Sequence, residues 1–152
     1  MDESGINTCL VREYGRALMG KKVEGQRSGR KFQRMNVTGG LCNGKHMAIE
    51  CYGRTMDAAL FERWFSERLL KEAPRGSTII MDNAGFHRKE ALLKCIKKAG
   101  RKIRLLFLPA YSPDLNPIEK SWSNMKRKLR DTLPKHDSVE SAVYDYFRFT
   151  VS

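Results

Sequence analysis

The order of the predicted elements indicates an α/β domain in which helices cover a mixed β-sheet. An early β-hairpin implies antiparallel strands, and the later strands alternate with amphipathic helices. We find no internal repeat and no linker in the 152 residues, a length that fits one domain.

The hairpin lies in the first third of the chain. Strands are predicted over Ile6–Val11, Phe32–Cys42 and Lys45–Tyr52. Asn43-Gly44 joins the last two, and this pair is a strong hairpin signal because both positions tolerate positive φ. Lys21–Lys31 is rich in glycine and basic residues, which predicts an exposed loop.

Two further strands and four helices follow. The strands are Thr78–Met81 and Ile103–Leu108, and the unbroken apolar run of the second predicts burial on both faces. The first helix extends from about Met56 to Glu72 with Thr55 as N-cap. The second helix is predicted from the apolar spacing of Ala91 to Ala99 and ends at Gly100. The third begins with Asn116 as N-cap and Pro117 as the first helical residue. The fourth begins near Asp137, which forms a capping box with Glu140.

Charge and composition favour a nucleic-acid partner. The chain carries 29 basic and 17 acidic residues, a net charge of +12. A polyanion is the usual partner of such a surface, although a ribosome-associated or merely soluble basic protein has the same balance. No apolar run is long enough for a bilayer, and the first residues lack signal-peptide features. We therefore expect a cytoplasmic, nucleoid-associated or nuclear protein.

The four cysteines, Cys9, Cys42, Cys51 and Cys95, form no C-x-x-C pair. Zinc sites need close ligand pairs, so the spacing favours free, mostly buried thiols in a reducing compartment.

Three acidic residues are candidates for chemistry. Asp82 follows an apolar strand directly, where α/β sheets collect functional groups, although a strand-end aspartate also caps helices or starts turns. Glu119 lies in the first turn of a helix, where a capping box with Asn116 explains it equally well. Asp2, taken alone, is typical of a solvated chain terminus.

Taken together, the three acids match a demand of phosphoryl transfer on DNA. Two divalent ions about 4 Å apart activate the nucleophile and stabilise the leaving oxygen, and they need shared carboxylate ligands. Hard oxygen ligands select Mg²⁺ or Mn²⁺ over zinc.

Two long motifs carry a family resemblance. Asp82-Asn83-Ala84-Gly85-Phe86-His87, and the run from Leu108 to Trp122 with Ser112-Pro113-Asp114-Leu115-Asn116-Pro117-Ile118-Glu119 at its centre, resemble the bacterial insertion-sequence branch of the mariner-like DDE transposases. Asp2-Glu3-Ser4-Gly5 resembles the first-aspartate motif of the same family. The spacing agrees, since 36 residues separate Asp82 from Glu119.

This resemblance implies an RNase H-like fold with a five-stranded mixed sheet flanked by helices. It implies cleavage of DNA at transposon ends, which depends on two Mg²⁺ or Mn²⁺ ions, followed by transfer of the 3′-OH into target DNA. It also implies that the enzyme acts as a homodimer on paired ends. Asp2, Asp82 and Glu119 are then the catalytic metal ligands. Asn83 and Asn116 support the site.

His87 also occupies a motif position. It either touches DNA or is simply a first-turn helix residue. Tyr111 and Trp122 are expected to be packing residues that hold the loop and the helix in place.

Basic residues along the chain supply a track for DNA phosphates. Under half of them are expected to touch DNA, and the leading candidates besides His87 are Arg88, Lys89, Lys97, Lys126 and Arg127. The wider set comprises Lys94, Lys98, Arg101, Lys102, Arg104, Lys128 and Arg130, with an N-terminal cluster of Lys21, Lys22, Arg27, Arg30, Lys31 and Arg34.

The family carries helix-turn-helix modules before the catalytic domain, whereas only Met1 precedes Asp2 here. We therefore expect residues 1–152 to be a catalytic domain with a truncated first strand and no recognition module. Such a chain is half of a split transposase that needs an upstream DNA-binding partner, a decayed remnant, or an isolated fragment. A non-catalytic basic DNA-binding protein is the alternative function, and an RNA nuclease on the same fold is a third that the second motif disfavours.

Overall fold

The strands of this computed structural model form two ladders, one antiparallel and one parallel. The structure describes residues 1–8, 10, 18–21, 33–110 and 112–150, with the backbone alone at 149 and 150. Within that part, β1 (Asp2–Asn7), β2 (Arg34–Cys42) and β3 (Lys45–Tyr52) make the antiparallel ladder, in that order. The parallel ladder pairs β4 (Thr78–Met81) with β5 (Arg104–Phe107).

The predicted hairpin is confirmed. Asn43 and Gly44 have φ values of 50° and 78°, the left-handed backbone that the turn requires. The predicted strand Ile6–Val11 begins earlier, at Asp2, because Asp2 to Asn7 all find partners on β2. Residues 9, 11 and 22–31 of the first predicted strand and of the basic loop lie outside the described residues.

The prediction that Ile103–Leu108 is buried on both faces is wrong. Leu105 and Phe107 pack against the core, but Leu106 is 49% exposed. Among the described strands β5 pairs with β4, and its side chains alternate between a covered and an open face.

The first predicted helix has three parts, which are α1 (Ala58–Trp64), a π-helical segment (Phe65–Leu69) and α2 (Leu70–Glu72). Thr55 is not its N-cap. The Asp57 carboxylate takes that place and accepts a 2.8 Å hydrogen bond from the Leu60 N–H, because a side chain at this position reaches the third N–H of the helix.

The remaining helices are α3 (Lys89–Ala99), α4 (Pro117–Thr132) and α5 (Val139–Thr150). Gly100 ends α3 with the predicted left-handed conformation, φ 63°. The predicted capping box at the last helix is one residue out of register. Ser138, not Asp137, caps it, since the Ser138 hydroxyl accepts a 3.0 Å bond from the Ser141 N–H.

Two apolar cores lie on opposite faces of the antiparallel ladder. Ala48 and Ile49 are neighbours on β3 yet pack into different cores, as adjacent side chains of a strand point to opposite faces. The first core joins α1, the π-helical segment and α3 to β4, and the second joins α4 and α5 to β1 and β2. Helices therefore cover both sides of the sheet.

The ladders meet at the amino end of β1. The Met1 amino group donates a 2.7 Å hydrogen bond to the Ile80 carbonyl of β4. Met1 therefore bridges β1 and β4, and the described residues form ladders of three and two strands where one five-stranded sheet was expected.

The described cysteines Cys42, Cys51 and Cys95 are free and half-buried. Among the helices that the structure describes, none has the length and apolar character that crossing a bilayer requires.

Candidate active site

The three predicted acids line one cavity of about 440 Å³, together with Asn83 and Asn116. Asp2 is the first residue of β1, Asp82 follows the last residue of β4, and Glu119 lies in the first turn of α4. The fold thus brings together three segments that are distant in sequence.

Hydrogen bonds through Met1 fix the arrangement of these segments. Besides the bond from Met1 to Ile80, the side-chain amide of Asn116 donates to the Met1 carbonyl at 3.4 Å. Asn116 is only 5% exposed. The amino end of β1 is therefore held to both β4 and α4, and these are the elements that carry Asp82 and Glu119.

Packing sets the position of α4. Ile118, Trp122, Met125 and Leu129 form its buried stripe. A side chain added at Gly39, the β2 partner of Asp2, would lie 2.4 Å from Ile49 and 3.4 Å from Trp122, so the glycine permits this close approach. Trp122 is 1% exposed and stacks on His46, which confirms its predicted packing role.

Glu119 is not held in a capping box. The Asn116 N–H, which that motif would direct at the Glu119 carboxylate, instead donates to the Pro113 carbonyl at 2.8 Å. Asn116 occupies the N-cap position, but its side chain makes no capping bond because it is committed to Met1.

The electrostatics of Asp2 reflect its surroundings. Burial, first, and then the neighbouring carboxylates of Glu119 and Asp82 raise the pKa of Asp2 to about 7, against the opposing bond from the Glu3 N–H. Its Oδ2 atom is buried and has no hydrogen-bond partner among the described residues. Oδ2 therefore has lone pairs that no described group of the protein occupies.

Asp82 is held differently. His87 Nδ1 lies 2.9 Å from its Oδ1, and this hydrogen bond, above all, lowers the pKa of Asp82. The His87 side chain is 3% exposed against 51% for Asp82. His87 thus lies beneath the surface, just before α3, and its burial argues against the expected contact with DNA.

Sequence reasoning missed Glu3. The pKa of its carboxyl is raised to about 7, mainly by burial; His87 opposes the rise and Asp82 adds to it. Oε1 of Glu3 is buried without a partner in the described part of the chain, and the residue lines a second cavity with Tyr52 and Phe86. The prediction of the first strand over Ile6–Val11 hid this residue, because only a strand that starts at Asp2 turns Asp2 and Glu3 to opposite faces.

The predicted DNA-contacting residues divide into free and engaged side chains. Lys97 is exposed on α3. Arg88 forms an ion pair with Glu62 (2.7 Å), the Lys89 ammonium lies 5.9 Å from the Phe107 ring, and Arg127 donates to Asn124 (3.2 Å). Lys126 is half-buried.

Two arginines of the wider basic set have structural contacts. Arg101 donates to three carbonyls at the end of α2, those of Leu70, Lys71 (2.8 Å) and Ala73 (2.7 Å). Arg130 donates to the Leu10 carbonyl at 2.9 Å. Tyr111, Lys22, Arg27, Arg30 and Lys31 lie outside the described residues.

A helix-covered α/β fold with two aspartates and a glutamate around one cavity fits a DDE-type endonuclease. The chain belongs to the DDE superfamily endonucleases, since the family model of that description matches residues 1–141.

Solved structures agree on the fold. A pre-cleavage Mos1 transpososome is similar with a TM-score of 0.66 at 18% identity, over 99% of this chain and 47% of that one. The Mos1 strand transfer complex has a TM-score of 0.64 at 21% identity, over 84% of this chain and 39% of that one. The Mos1 mariner paired-end complex with Mn has a TM-score of 0.63 at 18% identity, over 99% of this chain and 47% of that one.

The chain spans less than half the length of these transposase chains. No curated protein matches it.

Proposed function

We propose that this chain is the catalytic domain of a transposase of the bacterial insertion-sequence branch, which cleaves DNA strands at transposon ends and transfers the 3′-OH into target DNA. The observation that carries the proposal is the convergence of Asp2, Asp82 and Glu119 on one cavity. The similar Mos1 structures are a strand transfer complex and paired-end complexes, one with a transposon end and one with Mn, which supports DNA and a divalent metal as ligands.

The chemistry of the site fits Mg²⁺ or Mn²⁺. Carboxylate oxygens are the ligands that these ions prefer, and the buried Oδ2 of Asp2 has lone pairs that no described group uses. In the described part of the chain, no three His, Cys, Asp or Glu side chains are already grouped closely enough to hold an ion. The three carboxylates would therefore have to move closer together when an ion binds.

Asp2, Asp82 and Glu119 would hold two such ions, which supply a strong nucleophile and stabilise the leaving 3′ oxygen. The chain's own residues supply the positions. Asn116 holds the start of β1 through Met1, and Asn83 lines the mouth of the same cavity.

We further infer that the two ladders belong to one five-stranded, RNase H-like sheet in the order β3-β2-β1-β4-β5. The Met1–Ile80 bond places the amino end of β1 beside β4. A groove of about 120 Å³ opens there between Gly40–Cys42 of β2 and Thr78–Ile80 of β4. This groove lies in line with β1, where an upstream segment would continue the strand, and we propose that an upstream DNA-binding half supplies it.

The basic surface supports a role for DNA as the substrate. The net charge of +12 favours a polyanionic ligand. The exposed lysines of α3, which are Lys94, Lys97 and Lys98, would contact DNA phosphates without sequence specificity. We place the protein with the bacterial nucleoid in the cytoplasm and expect it to act as a homodimer on paired ends.

Metal-dependent nicking tests the proposal. The chain is incubated with DNA that carries the transposon ends and with Mg²⁺ or Mn²⁺, alongside Asp82→Asn and, as a matched control, Asp131→Asn on the exposed side of α4. We expect nicking by the wild type and the control, and loss in Asp82→Asn. Nicking that persists in Asp82→Asn contradicts the assignment.

The alternative, a basic DNA-binding protein without catalysis, rests on the single-residue bridge between β1 and β4. It predicts salt-sensitive DNA binding and no cleavage with either metal. The same assay, repeated with β1 extended upstream, separates the two functions.

A further inference from the structure

The buried side chain of His87 contacts the exposed carboxylate of Asp82. One ring nitrogen, Nδ1, lies 2.9 Å from Oδ1 of Asp82 and 3.2 Å from the Asp82 main-chain carbonyl. The imidazole is 3% exposed, whereas the carboxylate that it contacts is 51% exposed and lines the cavity. A buried group therefore holds one oxygen of an exposed acid.

Packing fixes the ring independently of Asp82. The His87 ring centroid lies 4.2 Å from that of Phe61 and 4.4 Å from that of Phe86, and Phe61 is fully buried. The His87 N–H also donates to the Ala84 carbonyl at 2.9 Å, which closes the turn between β4 and α3. The direction of Nδ1 is thus set by the core and the turn.

The proton on His87 can be assigned from its neighbours. The Asp82 carbonyl and the Asp82 carboxylate both accept hydrogen bonds, so Nδ1 must be the donor. Nε2 is buried and has no hydrogen-bond partner among the described residues. The imidazole therefore directs its N–H at Asp82.

We propose that His87 is a positioning residue for the metal ligand Asp82. Its Nδ1–H holds Oδ1 and leaves the second carboxylate oxygen to the cavity shared with Asp2 and Glu119. The inference rests on the proposed function, because it takes Asp82 as a ligand. Partners that orient a ligating side chain commonly change metal affinity 10- to 100-fold when removed, by the general order of magnitude for such contacts.

Three substitutions separate positioning from space filling. In His87→Asn the side-chain amide nitrogen lies near the place of Nδ1 and keeps the donor. In His87→Gln the amide reaches toward the place of Nε2, and His87→Leu fills the space with no donor. His136→Asn, outside this site, is the matched control.

The readout is Mn²⁺ affinity of the full chain with the metal alone, measured by electron paramagnetic resonance of free Mn²⁺. We expect His87→Leu and His87→Gln to bind on the order of tenfold more weakly or worse, and His87→Asn to recover most of the affinity. Wild-type affinity in folded His87→Leu overturns the proposal. If His87→Leu fails to fold, equal affinities of the Asn and Gln variants overturn it.

The same measurement distinguishes failure of the proposed function from failure of the role of His87. Absence of Mn²⁺ binding by the wild-type chain contradicts the metal site itself, and with it the positioning role. Binding by the wild type that is lost in Asp82→Asn but unchanged in His87→Gln retains the metal site and refutes only the role of His87.

Discussion

The amino group of Met1 lies 2.7 Å from the carbonyl oxygen of Ile80, and this is the bond that joins the two ladders. Burial of the amino group, above all, lowers its pKa, while Asp2 and Asp82 oppose the shift. The amino group lines the groove between β2 and β4, where a peptide N–H would make the same bond at a lower desolvation cost than an ammonium.

This geometry predicts that lengthening β1 stabilises the domain. Two residues, valine and threonine, fused before Met1 should pair with Leu41–Cys42 and Thr78–Ile79 and raise the Tm, because the antiparallel register sets Asp2 opposite Gly39 and β2 ends at Cys42. Each kcal/mol gained corresponds to roughly 2–4 °C for a domain of this size. The Tm is measured by circular dichroism.

A glycine-serine extension of the same length is the control, because it also removes the ammonium but has low strand propensity. If the two extensions give the same Tm, the groove does not bind a strand.

A second prediction concerns metal binding without catalysis. An ion that binds only the folded chain raises the Tm, and a concentration of 100 times Kd contributes about 2.7 kcal/mol. We expect Mn²⁺ to raise the Tm of the wild type and of Asp131→Asn, with little effect on Asp82→Asn or Glu119→Gln. Differential scanning fluorimetry measures this directly, and an equal rise in Glu119→Gln would remove that residue from the ligand set.

Part of this site could be predicted from the sequence. The features that could not be predicted share one physical cause, which is contact between residues distant in the chain. Asp82 could be placed because a short apolar run ends on it, and Gly100 because a left-handed helix end favours glycine. Local pattern does not say which partner a polar group chooses. Asn116 satisfies the capping pattern yet donates to Met1, which is 115 residues away in the chain.

The same limit applies to the burial of single side chains. The buried ring of His87 is packed by Phe61, and the exposure of Leu106 depends on what covers the sheet. Such facts belong to tertiary packing, which overrides local preference.

The third prediction is a pH dependence of stability in the absence of metal. The pKa of Asp2 rises from 3.8, and that of Glu3 from 4.5, to about 7 in the folded chain. The folded state therefore retains protons that the unfolded state loses, so these groups stabilise most at low pH and that stability declines as pH rises from about 4 to about 7. His46, whose pKa burial lowers, acts in the opposite direction below 6.5.

The difference between variants isolates the two acids. The Tm of the wild type and of the double variant Asp2→Asn, Glu3→Gln is measured with a chelator at about pH 5 and about pH 8. We expect the wild type to lose more stability than the double variant between these values. Parallel curves would show that the two carboxyls titrate normally.

The last prediction separates structural from DNA-contacting basic residues. Arg101 donates to three partly buried or exposed carbonyls at the end of α2, so Arg101→Gln should destabilise the fold by about 1 kcal/mol through the loss of these hydrogen bonds. Lys97 is exposed on α3, and Lys97→Gln should leave the Tm unchanged while it lowers the slope of log K against log salt by about 1. Urea unfolding and fluorescence anisotropy on a labelled duplex measure the two effects. A change of the salt slope in Arg101→Gln equal to that in Lys97→Gln, at unchanged stability, would reverse the assignment of these two residues and return Arg101 to the DNA-binding surface.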